Sequence, residues 1–281
     1  MREVDVSGML EKIKKALIDM AYFLPKDVET ALEKAHDAEK WPLAKDTLSQ
    51  ILDNAQIARR TCSPMCQDTG MVVAFVTVGQ DVHVVNGSIT DTINEGVRQA
   101  YEAGYLRKSV VSDPLDGRVN TKDNTPAVIH YEVVPGDVFT IEFAAKGFGS
   151  ENMSRLKMLK PSDGLQGVKD FILETVELAG PNPCPPIVVG VGIGGTVDKV
   201  TLLAKKALIR PLDSYNKKPF YAALEKEMFE KINALGIGPQ GYGGKTTALR
   251  VMIETYPTHI AGLPVCVNIN CHATRHTKLE F

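Results

Sequence analysis

Three of the five cysteines lie beside turn-forming residues rather than inside an apolar run. Cys66 is found in SPMCQDTG, Cys184 in NPCPP and Cys271 in NINCHATRH. Loops are where proteins present ligands, and three thiolates suit a soft metal centre. A four-iron cluster held by only three protein thiolates would keep one iron open as a Lewis acid, with zinc as the chemical competitor. The intervals between the cysteines are long, so spacing does not identify the metal and the fold must assemble any shared site.

The other two cysteines are predicted not to be ligands. Cys266 lies in the apolar run LPVCVNIN, and a free cysteine often serves as a small buried apolar residue. Cys62 comes one helical turn before Cys66. An electron-transfer subunit normally completes its cluster with four protein ligands. Three loop cysteines therefore favour a catalytic cluster over a non-catalytic cluster-binding subunit.

Two glycine-rich motifs suggest nucleotide binding, but only weakly. Residues 190–195, GVGIGG, satisfy the dinucleotide fingerprint between a predicted strand and a predicted helix. The acidic residue that such a site requires would be Asp213, yet no β-run precedes it. An NAD-binding oxidoreductase is therefore the less favoured interpretation. The simpler one is a tight strand-to-helix turn whose backbone N–H groups could hold an anion. Gly241–Thr246 resembles a phosphate-binding loop, but Pro239 stands where that motif requires its first glycine.

The elements that must position these residues begin with helices. Helical spacing of apolar residues predicts a helix through Leu48–Ala55, with Asp46 as its cap, and similar helices around 8–21 and 27–38, so the first sixty residues are predicted to be helical. Further helices are predicted around Ile93–Tyr101 and at 164–180, 197–209 and 219–235.

Predicted strands follow the helical start. Runs at 71–78 and 81–85, separated by Gly79-Gln80, predict one hairpin, and runs at 127–134 and 138–145 predict a second. Buried strands are predicted at 187–193, 248–256 and 263–270. The expected fold is α+β (mixed α/β), with a mixed sheet and hairpins enclosed by helices. We expect a single domain over 1–281, with a helical segment at 1–60 and an α/β cluster-binding core at 61–281.

Composition excludes several functional classes. Of the 281 residues, 44% are hydrophobic and 23% charged, as in ordinary globular proteins. The net charge of −2 gives no global field for nucleic acid or a membrane surface. The N-terminus alternates apolar and charged residues, unlike a signal peptide, and no stretch approaches a membrane span. With an odd number of cysteines, a reducing cytoplasm is predicted.

Six motifs, taken in chain order, resemble the N-terminal region of class I (iron–sulfur) fumarate hydratases over most of the chain. They are MCQDTG, KGFGSENMS, NPCPPIVVGVGIGGT, GYGGKTT, YPTHIAGLPV and NCHATRH. The resemblance implies reversible hydration of fumarate to (S)-malate and a 4Fe-4S cluster bound by Cys66, Cys184 and Cys271. The iron without a protein ligand would bind the hydroxyl and carboxylate oxygens of the substrate.

The resemblance also implies a set of substrate residues. These are Gln67, Asp68, Arg107, Lys146, Gly149 and His259. Asp68 is the predicted catalytic residue, suited to moving a proton at the hydroxyl that leaves as water, although a loop-capping role is its simpler interpretation. Arg107 would clamp a carboxylate with paired donors, or would merely be a solvated arginine at a helix end.

The remaining substrate residues would recognise anions. Lys146 would offer a cation and Gly149 a bare backbone N–H, with a turn and a helix start as the simpler interpretation of this segment. His259 would donate to the substrate or orient a neighbour, and a lone histidine is often without a role.

Tartrate dehydratase alpha subunits resemble the chain as well, and fumarate is favoured here because GSENMSRLKMLKPSDG and NPCPP look more like fumarate hydratases. Many class I enzymes are one longer chain with a C-terminal domain that is missing here. The chain therefore resembles the split form, which implies a separate beta subunit, an α2β2 assembly and no activity without the partner.

Overall fold

The computed structural model describes residues 1–281, and the chain divides into two compact units. The first unit comprises Met1–Pro25, Asn54–Phe148 and Arg275–Phe281, and the second comprises Lys26–Asp53 and Gly149–Thr274. Both contain mixed sheets and helices, which confirms the α+β class. The single domain over 1–281 stays a prediction. No helix combines the length and apolar character that a membrane crossing requires.

Eight helices and ten strands make up the chain, with three short 3-10 turns. The helices are α1 (Leu10–Tyr22), α2 (Lys26–Ala38), α3 (Pro42–Thr61), α4 (Ile89–Ala103), α5 (Phe148–Glu151), α6 (Gly164–Ala179), α7 (Val197–Ala207) and α8 (Pro219–Ala234). The strands are β1 (Arg2–Asp5), β2 (Met71–Gly79), β3 (Val82–Val85), β4 (Val128–Val134), β5 (Phe139–Lys146), β6 (Arg155–Leu159), β7 (Ile187–Gly194), β8 (Ala248–Tyr256), β9 (Leu263–Asn270) and β10 (His276–Glu280).

The sheet of the first unit has the order β10-β5-β2-β4, and a separate two-stranded sheet pairs β1 with β3 in parallel. Strand β2 pairs with β4 in parallel and with β5 in antiparallel orientation. Both predicted hairpins are therefore wrong, because β3 pairs with β1 and because β2 lies between β4 and β5.

The second hairpin fails for a physical reason. The chain does reverse at 135–137, but the apolar strand β2 inserts there and takes the backbone hydrogen bonds of both neighbours. At its end, the Gly79 N–H donates to the Val138 carbonyl at 2.7 Å, and a side chain on Gly79 would come within 2.2 Å of the Gly136 oxygen. Turn residues thus mark where a chain reverses, but burial decides which strands pair.

The first unit buries one face of α1 and α4 against its sheet. Ile13 of α1 and Ile93 of α4 are fully buried and share one core cluster with Phe143 of β5. The predicted helical stripe that ends at Tyr101 is confirmed, since its residues lie in this core. This packing fixes the position of the Tyr101 ring, which reaches the loop before β2.

The second unit has the sheet order β6-β9-β7-β8, with helices on both faces. Alternate residues of β7, such as Val189, face a core built with α6 and α8. The other residues include Gly190 and Gly192, where a Cβ would come within 2.3 Å of the Ala204 oxygen and 2.1 Å of the Val200 oxygen. These glycines let α7 lie directly against the sheet, which gives the 190–195 motif a packing role.

Most predicted helices and strands of the second unit are confirmed, and the strands that were not predicted, in either unit, are edge strands. The strands predicted at 248–256 and 263–270 have the observed bounds, and the helices differ by a few residues at their ends. The sequence missed β1, β6 and β10, so the segment predicted as helical begins with a strand. These short strands are largely exposed, and their alternation of apolar and polar residues is too weak to detect.

Candidate functional site

Cys66 lies on a loop that joins α3 to β2 and is fixed at its start. The Met65 N–H donates to the Ala21 carbonyl at 3.1 Å, and the Asn54 side-chain amide donates to the Met65 carbonyl at 2.8 Å. The Cys66 side chain itself stays partly exposed. The loop therefore presents this thiol at the surface of the first unit from a fixed backbone.

A cavity of about 310 Å³ opens beside Cys66. It is lined by Pro64, Cys66, Gln67, Thr69, Tyr105 and Arg107. The Thr69 hydroxyl donates to the Arg107 carbonyl at 3.1 Å, which ties the two sides of the cavity together. Three predicted site residues thus share one cavity, namely a thiol, an amide and a guanidinium. A guanidinium can bind a carboxylate with two parallel hydrogen bonds.

Asp68 lies between the cavity residues Gln67 and Thr69 but does not line the cavity, and its carboxylate accepts hydrogen bonds from the backbone. Oδ2 accepts from the Phe148 N–H at 2.9 Å, and Oδ1 accepts from the Gly70 N–H at 3.0 Å. A side chain on Gly147 would lie 3.1 Å from Oδ2, so the glycine leaves room for the carboxylate. Asp68 does cap its loop, while its part in proton transfer stays a prediction.

A buried arginine that was not among the predicted site residues lies behind this loop. Arg275 is 2% exposed, and its Nη2 donates to the Asp68 carbonyl at 2.8 Å. Its Nε and Nη1 atoms are buried without a hydrogen-bond partner. The residue belongs to the NCHATRH motif, but a lone arginine in a sequence carries no sign of burial, since most arginines are exposed.

A buried tyrosine completes the support of the loop. The Tyr101 hydroxyl donates to the carbonyls of Thr69 at 3.0 Å and Gly70 at 2.9 Å. Burial raises the pKa of Tyr101 to about 12, and the nearby Arg275 charge opposes that rise. The phenol is therefore a permanent donor near neutral pH, and it fixes the backbone that carries Asp68.

Lys146 lies at the end of β5 and is 3% exposed. Its ammonium donates to the Gly147 carbonyl at 3.2 Å, and it does not line the cavity that contains Arg107. A Cβ on Gly70 would come within 2.8 Å of the Lys146 backbone, so this loop packs tightly against β5. Contact between this ammonium and substrate stays a prediction.

The second unit brings the other two predicted ligands together. The Cys184 carbonyl accepts from the His272 backbone N–H at 3.3 Å, and the His272 Nδ1 lies 3.0 Å from the same oxygen. His272 directly follows Cys271, so hydrogen bonds join the loops of both cysteines. The Cys184 side chain is exposed and Cys271 is partly exposed.

Gly149 and His259 have different surroundings within the second unit. A Cβ on Gly149 would lie 3.9 Å from the carbonyl oxygen of Asn182, which belongs to the turn before Cys184. His259 is exposed between β8 and β9, and its Nδ1 accepts from the Ala261 N–H at 3.2 Å. These contacts bring Gly149 to the Cys184 loop and keep His259 within its own turn.

The motif resembling a phosphate-binding loop has another structure here. Within the motif, Lys245 donates its backbone N–H to the Glu39 carboxylate at 2.7 Å, and the next element after the motif is strand β8. A phosphate-binding loop of that class opens a helix, whose first N–H groups bind the phosphate. The structure therefore agrees with the sequence, in which Pro239 stands where a phosphate-binding loop requires its first glycine.

A family model described as Fumarate hydratase (Fumerase) matches residues 10–280. The chain belongs to the fumarate hydratase family. The resemblance deduced from its six motifs is thereby confirmed, and the chain is of the hydro-lyase class.

Relatives within this family have consistent names. A Methanocaldococcus jannaschii protein, provisionally named L(+)-tartrate dehydratase subunit alpha, is 46% identical over 274 residues, covering 94% of this chain and 95% of the relative. The L(+)-tartrate dehydratase alpha subunit of Escherichia coli strain UTI89 is 35% identical over 260 residues, covering 92% of this chain and 85% of the relative. The protein of that name from strain K12 is 34% identical over 259 residues, covering 91% and 85%.

The chemistry of the available donors fits the iron–sulfur cluster that the family resemblance implies. No three His, Cys, Asp or Glu side chains already converge on one point. The thiols of Cys66, Cys184 and Cys271 are nevertheless all at least partly exposed on loops, where a cluster can reach them. Thiolates are the ligands that such clusters require, and three of them leave one iron open.

Of the two cysteines predicted not to be ligands, Cys266 lies in a place unsuited to ligation, whereas Cys62 is exposed in the same way as Cys184. Cys266 is 5% exposed in β9 and packs against Val200 and Ala204 of α7. Burial raises the pKa of Cys266 to about 11, which disfavours the thiolate that a metal needs. Cys62 is exposed after the end of α3, with its sulfur 3.9 Å from the Arg59 carbonyl. The absence of a ligand role stays a prediction for Cys62 and for Cys266.

Proposed function

We propose that the chain is the alpha subunit of a 4Fe-4S-dependent hydro-lyase that adds water to, or removes it from, a four-carbon dicarboxylate. The observation that supports this most directly is the cavity in which Cys66, Gln67 and Arg107 lie together. Cys66, Cys184 and Cys271 would hold the cluster. When bound, the cluster supplies an open iron that acts as a Lewis acid on the substrate hydroxyl.

The cavity residues recognise the substrate in this proposal. The Arg107 guanidinium binds one carboxylate through two N–H donors, a geometry that lysine does not reproduce. The Gln67 amide donates to or accepts from a second oxygen. Lys146, Gly149 and His259 complete the substrate set, as a cation, a backbone donor and an imidazole.

Asp68 carries the proton step in this proposal. Backbone donors at Gly70 and Phe148 hold its two carboxylate oxygens, so its orientation is set before substrate binds. A carboxylate so oriented can move a proton at the substrate hydroxyl, which must leave as water. Both directions of the reaction use this same group, because hydration and dehydration share one transition state.

Fumarate, hydrated to (S)-malate, is the first candidate substrate, because the matching family model is described as fumarate hydratase. L(+)-tartrate is the second candidate, and the names of the relatives favour it. Both reactions eliminate or add a hydroxyl next to a carboxylate. They differ by one further hydroxyl on tartrate, which the pocket must accept or reject.

We further propose that the chain acts with a beta subunit, as an α2β2 assembly in the cytoplasm. The relatives are named as alpha subunits, which supports a partner. The partner would add groups that bind carboxylate and transfer protons, so the alpha chain alone is expected to be inactive. Neither nucleic acid nor a membrane is part of this proposal.

The test is anaerobic purification with the partner subunit, followed by reconstitution with iron and sulfide. We expect roughly four irons per alpha chain, the visible spectrum of a cubane cluster and turnover of fumarate or L(+)-tartrate, each assayed separately. Cys184→Ser should lose both the cluster and turnover, while the matched variant Cys62→Ser keeps both. Activity without a cluster would refute the mechanism, and turnover of tartrate alone would decide for the second substrate.

A further inference from the structure

The glycine-rich loop at 238–244 contains one non-glycine residue in a backbone conformation that favours glycine. Gln240 has a φ of +52°, and its neighbours Gly238, Gly241 and Gly243 have φ values of +70°, +81° and +81°. A side chain in this left-handed region costs free energy that glycine avoids. A glutamine at this position therefore needs a role for its side chain.

The amide of Gln240 contacts both cysteine-bearing loops of the second unit. Its Nε2 donates to the Pro185 carbonyl at 2.9 Å and lies 3.1 Å from the His272 Nδ1. Pro185 directly follows Cys184, and His272 directly follows Cys271. One side chain thus spans the residues next to the two predicted ligands.

The Pro185 carbonyl does not need the hydrogen bond from the Gln240 side chain. The Gln240 backbone N–H already donates to the same oxygen at 2.8 Å. The side chain therefore adds a link to His272 rather than filling an empty acceptor. When the His272 Nδ1 accepts from the Gln240 amide, the His272 backbone N–H still donates to the Cys184 carbonyl at 3.3 Å, so that four residues, Gln240, Pro185, Cys184 and His272, form a closed set of contacts around the two cysteine loops.

The flanking glycines allow the loop to reach this position. A Cβ on Gly241 would come within 2.4 Å of the Pro181 side chain, in the turn before Cys184. A Cβ on Gly238 would come within 1.7 Å of the Gly243 oxygen, so the loop folds tightly on itself. The glycines of the former phosphate-loop candidate thus serve close packing next to Cys184.

We propose that Gln240 is a positioning residue that sets the separation of Cys184 and Cys271 before a cluster binds. It acts through Pro185 and His272, the residues that directly follow the two predicted ligands. The proposal rests on the proposed function for its assignment of these cysteines as ligands. Cys184 itself has a φ of +55°, so the Gln240 loop and the Cys184 loop each contain a non-glycine residue in an unfavourable backbone conformation where they meet. The loop residues together hold the ligand pair in place.

The first measurement uses the full-length apo chain with Cys62→Ser, which removes the exposed thiol of the first unit. Dibromobimane becomes fluorescent when both of its arms react with thiols, and peptide mapping reports the yield of the Cys184–Cys271 cross-link. Gln240→Gly removes the amide and relieves the left-handed backbone. Gln240→Asn keeps an amide at a shorter reach, and Tyr242→Ala is the matched control, since Tyr242 is 58% exposed on the same loop.

We expect Gln240→Gly to melt at or above the wild-type temperature and yet to lower the cross-link yield several-fold. The same variant should take up iron and sulfide more slowly by a similar factor, and lose iron faster to a chelator. In cross-link yield and in iron uptake and loss, Gln240→Asn should lie between wild type and Gln240→Gly, and Tyr242→Ala should match wild type. A residue with a merely structural role would instead lower the melting temperature, and that result would overturn the proposal.

The two proposals fail in different ways. If wild-type protein takes up a cluster and Gln240→Gly equals it in cross-linking and in iron retention, the positioning role is refuted and the proposed function stands. If wild-type protein takes up no cluster but its cross-link yield exceeds that of Gln240→Gly, the proposed function is refuted and the positioning role stands.

Discussion

The loop of Cys66 and the pair of loops around Cys184 and Cys271 are held in place by different means. In the first unit, buried side chains fix the backbone from behind, as Arg275 and Tyr101 do. In the second unit, the two loops are hydrogen-bonded to each other, with His272 in contact with the Cys184 carbonyl.

The two regions also carry different chemistry. The cavity beside Cys66 contains a guanidinium and an amide suited to carboxylates, whereas the contacts around Cys184 are made by backbone carbonyls, an imidazole and the Gln240 amide. In the proposed function, the carboxylate clamp therefore lies in the first region together with the predicted ligand Cys66, and the other two predicted ligands lie in the second region. Variants should distinguish the two regions. Substitution of the clamp in the first region should lower turnover, whereas substitutions in the second region should lower iron retention or the stability of the fold.

The largest effect is expected at Arg107. Arg107→Met removes paired charged hydrogen bonds to a carboxylate, and about 3 kcal/mol of binding corresponds to roughly a 100-fold loss of kcat/KM. Iron content should be unchanged, because the residue is not a ligand. Steady-state kinetics of the reconstituted complex with fumarate and L(+)-tartrate measure the loss, and Arg60→Met, another exposed arginine, is the control. A loss below twofold would contradict the clamp.

Gly192 gives the next largest effect, this time on stability. Gly192→Ala adds a Cβ within 2.1 Å of the Val200 oxygen, so α7 must shift, and overpacking of this kind costs about 1–3 kcal/mol. Urea unfolding of the purified chain measures this cost. Gly136→Ala is a control for added bulk, since a Cβ there meets nothing within 4 Å, although its φ of +87° brings some backbone strain. Equal stability of Gly192→Ala and wild type would contradict the packing role.

Arg275 should separate stability from turnover. Arg275→Met loses the hydrogen bond to the Asp68 carbonyl, but it also removes a buried charge whose Nε and Nη1 atoms have no hydrogen-bond partner, and these two effects on stability oppose each other. We expect the free energy of unfolding to change by less than about 1.5 kcal/mol. Turnover should fall at least about tenfold, because a small displacement of a catalytic group is costly.

The measurement for Arg275 compares three quantities in wild type, Arg275→Met and Arg275→Lys. These are unfolding by urea, iron content after reconstitution, and the separate values of kcat and KM. Partial rescue of kcat by lysine, with iron content unchanged, would support positioning of Asp68. A drop in iron content as large as the drop in kcat would instead show that the Cys66 loop as a whole depends on this arginine.

The sequence predicted local features of both regions well. The bounds of β8 and β9 were predicted correctly because both segments are rich in apolar and β-branched residues and lie between turn residues. The positions of Cys184 and Cys271 on loops followed from neighbouring proline and asparagine residues. Family membership followed from six motifs that occur in the order found in the family, because several motifs in order are far more specific than a single glycine fingerprint.

Features that depend on distant parts of the chain escaped prediction. The insertion of β2 between β4 and β5, and the parallel pairing of β1 with β3, join segments that no local turn connects. Pairing of this kind is decided by burial after the chain has collapsed. Arg275 was missed for a related reason, because its burial beside Asp68 arises only once β10 has paired with β5.

The smallest effect concerns the two cysteines predicted not to be ligands, one in each region. Cys62→Ser and Cys266→Ala should both leave iron content unchanged. They should differ in reactivity, because Cys62 is exposed and burial raises the pKa of Cys266 to about 11, so that at pH 8 an alkylating reagent modifies Cys62 and not Cys266 in the folded apo chain.

The raised pKa of Cys266 also sets the sign of a pH effect on stability. Between the ordinary thiol pKa of about 8.5 and a folded value of about 11, the unfolded chain loses this proton while the folded chain keeps it. Stability is therefore fully present below pH 8 and falls as the pH rises, by at most about 1.4 kcal/mol per pH unit from this group. Urea unfolding at pH 8 and pH 10 should show a smaller loss in Cys266→Ala than in wild type. Equal losses in the two proteins, or alkylation of Cys266 as fast as that of Cys62, would mean that β9 is not packed against α7, and the packing explanation for Gly192 would fail with it.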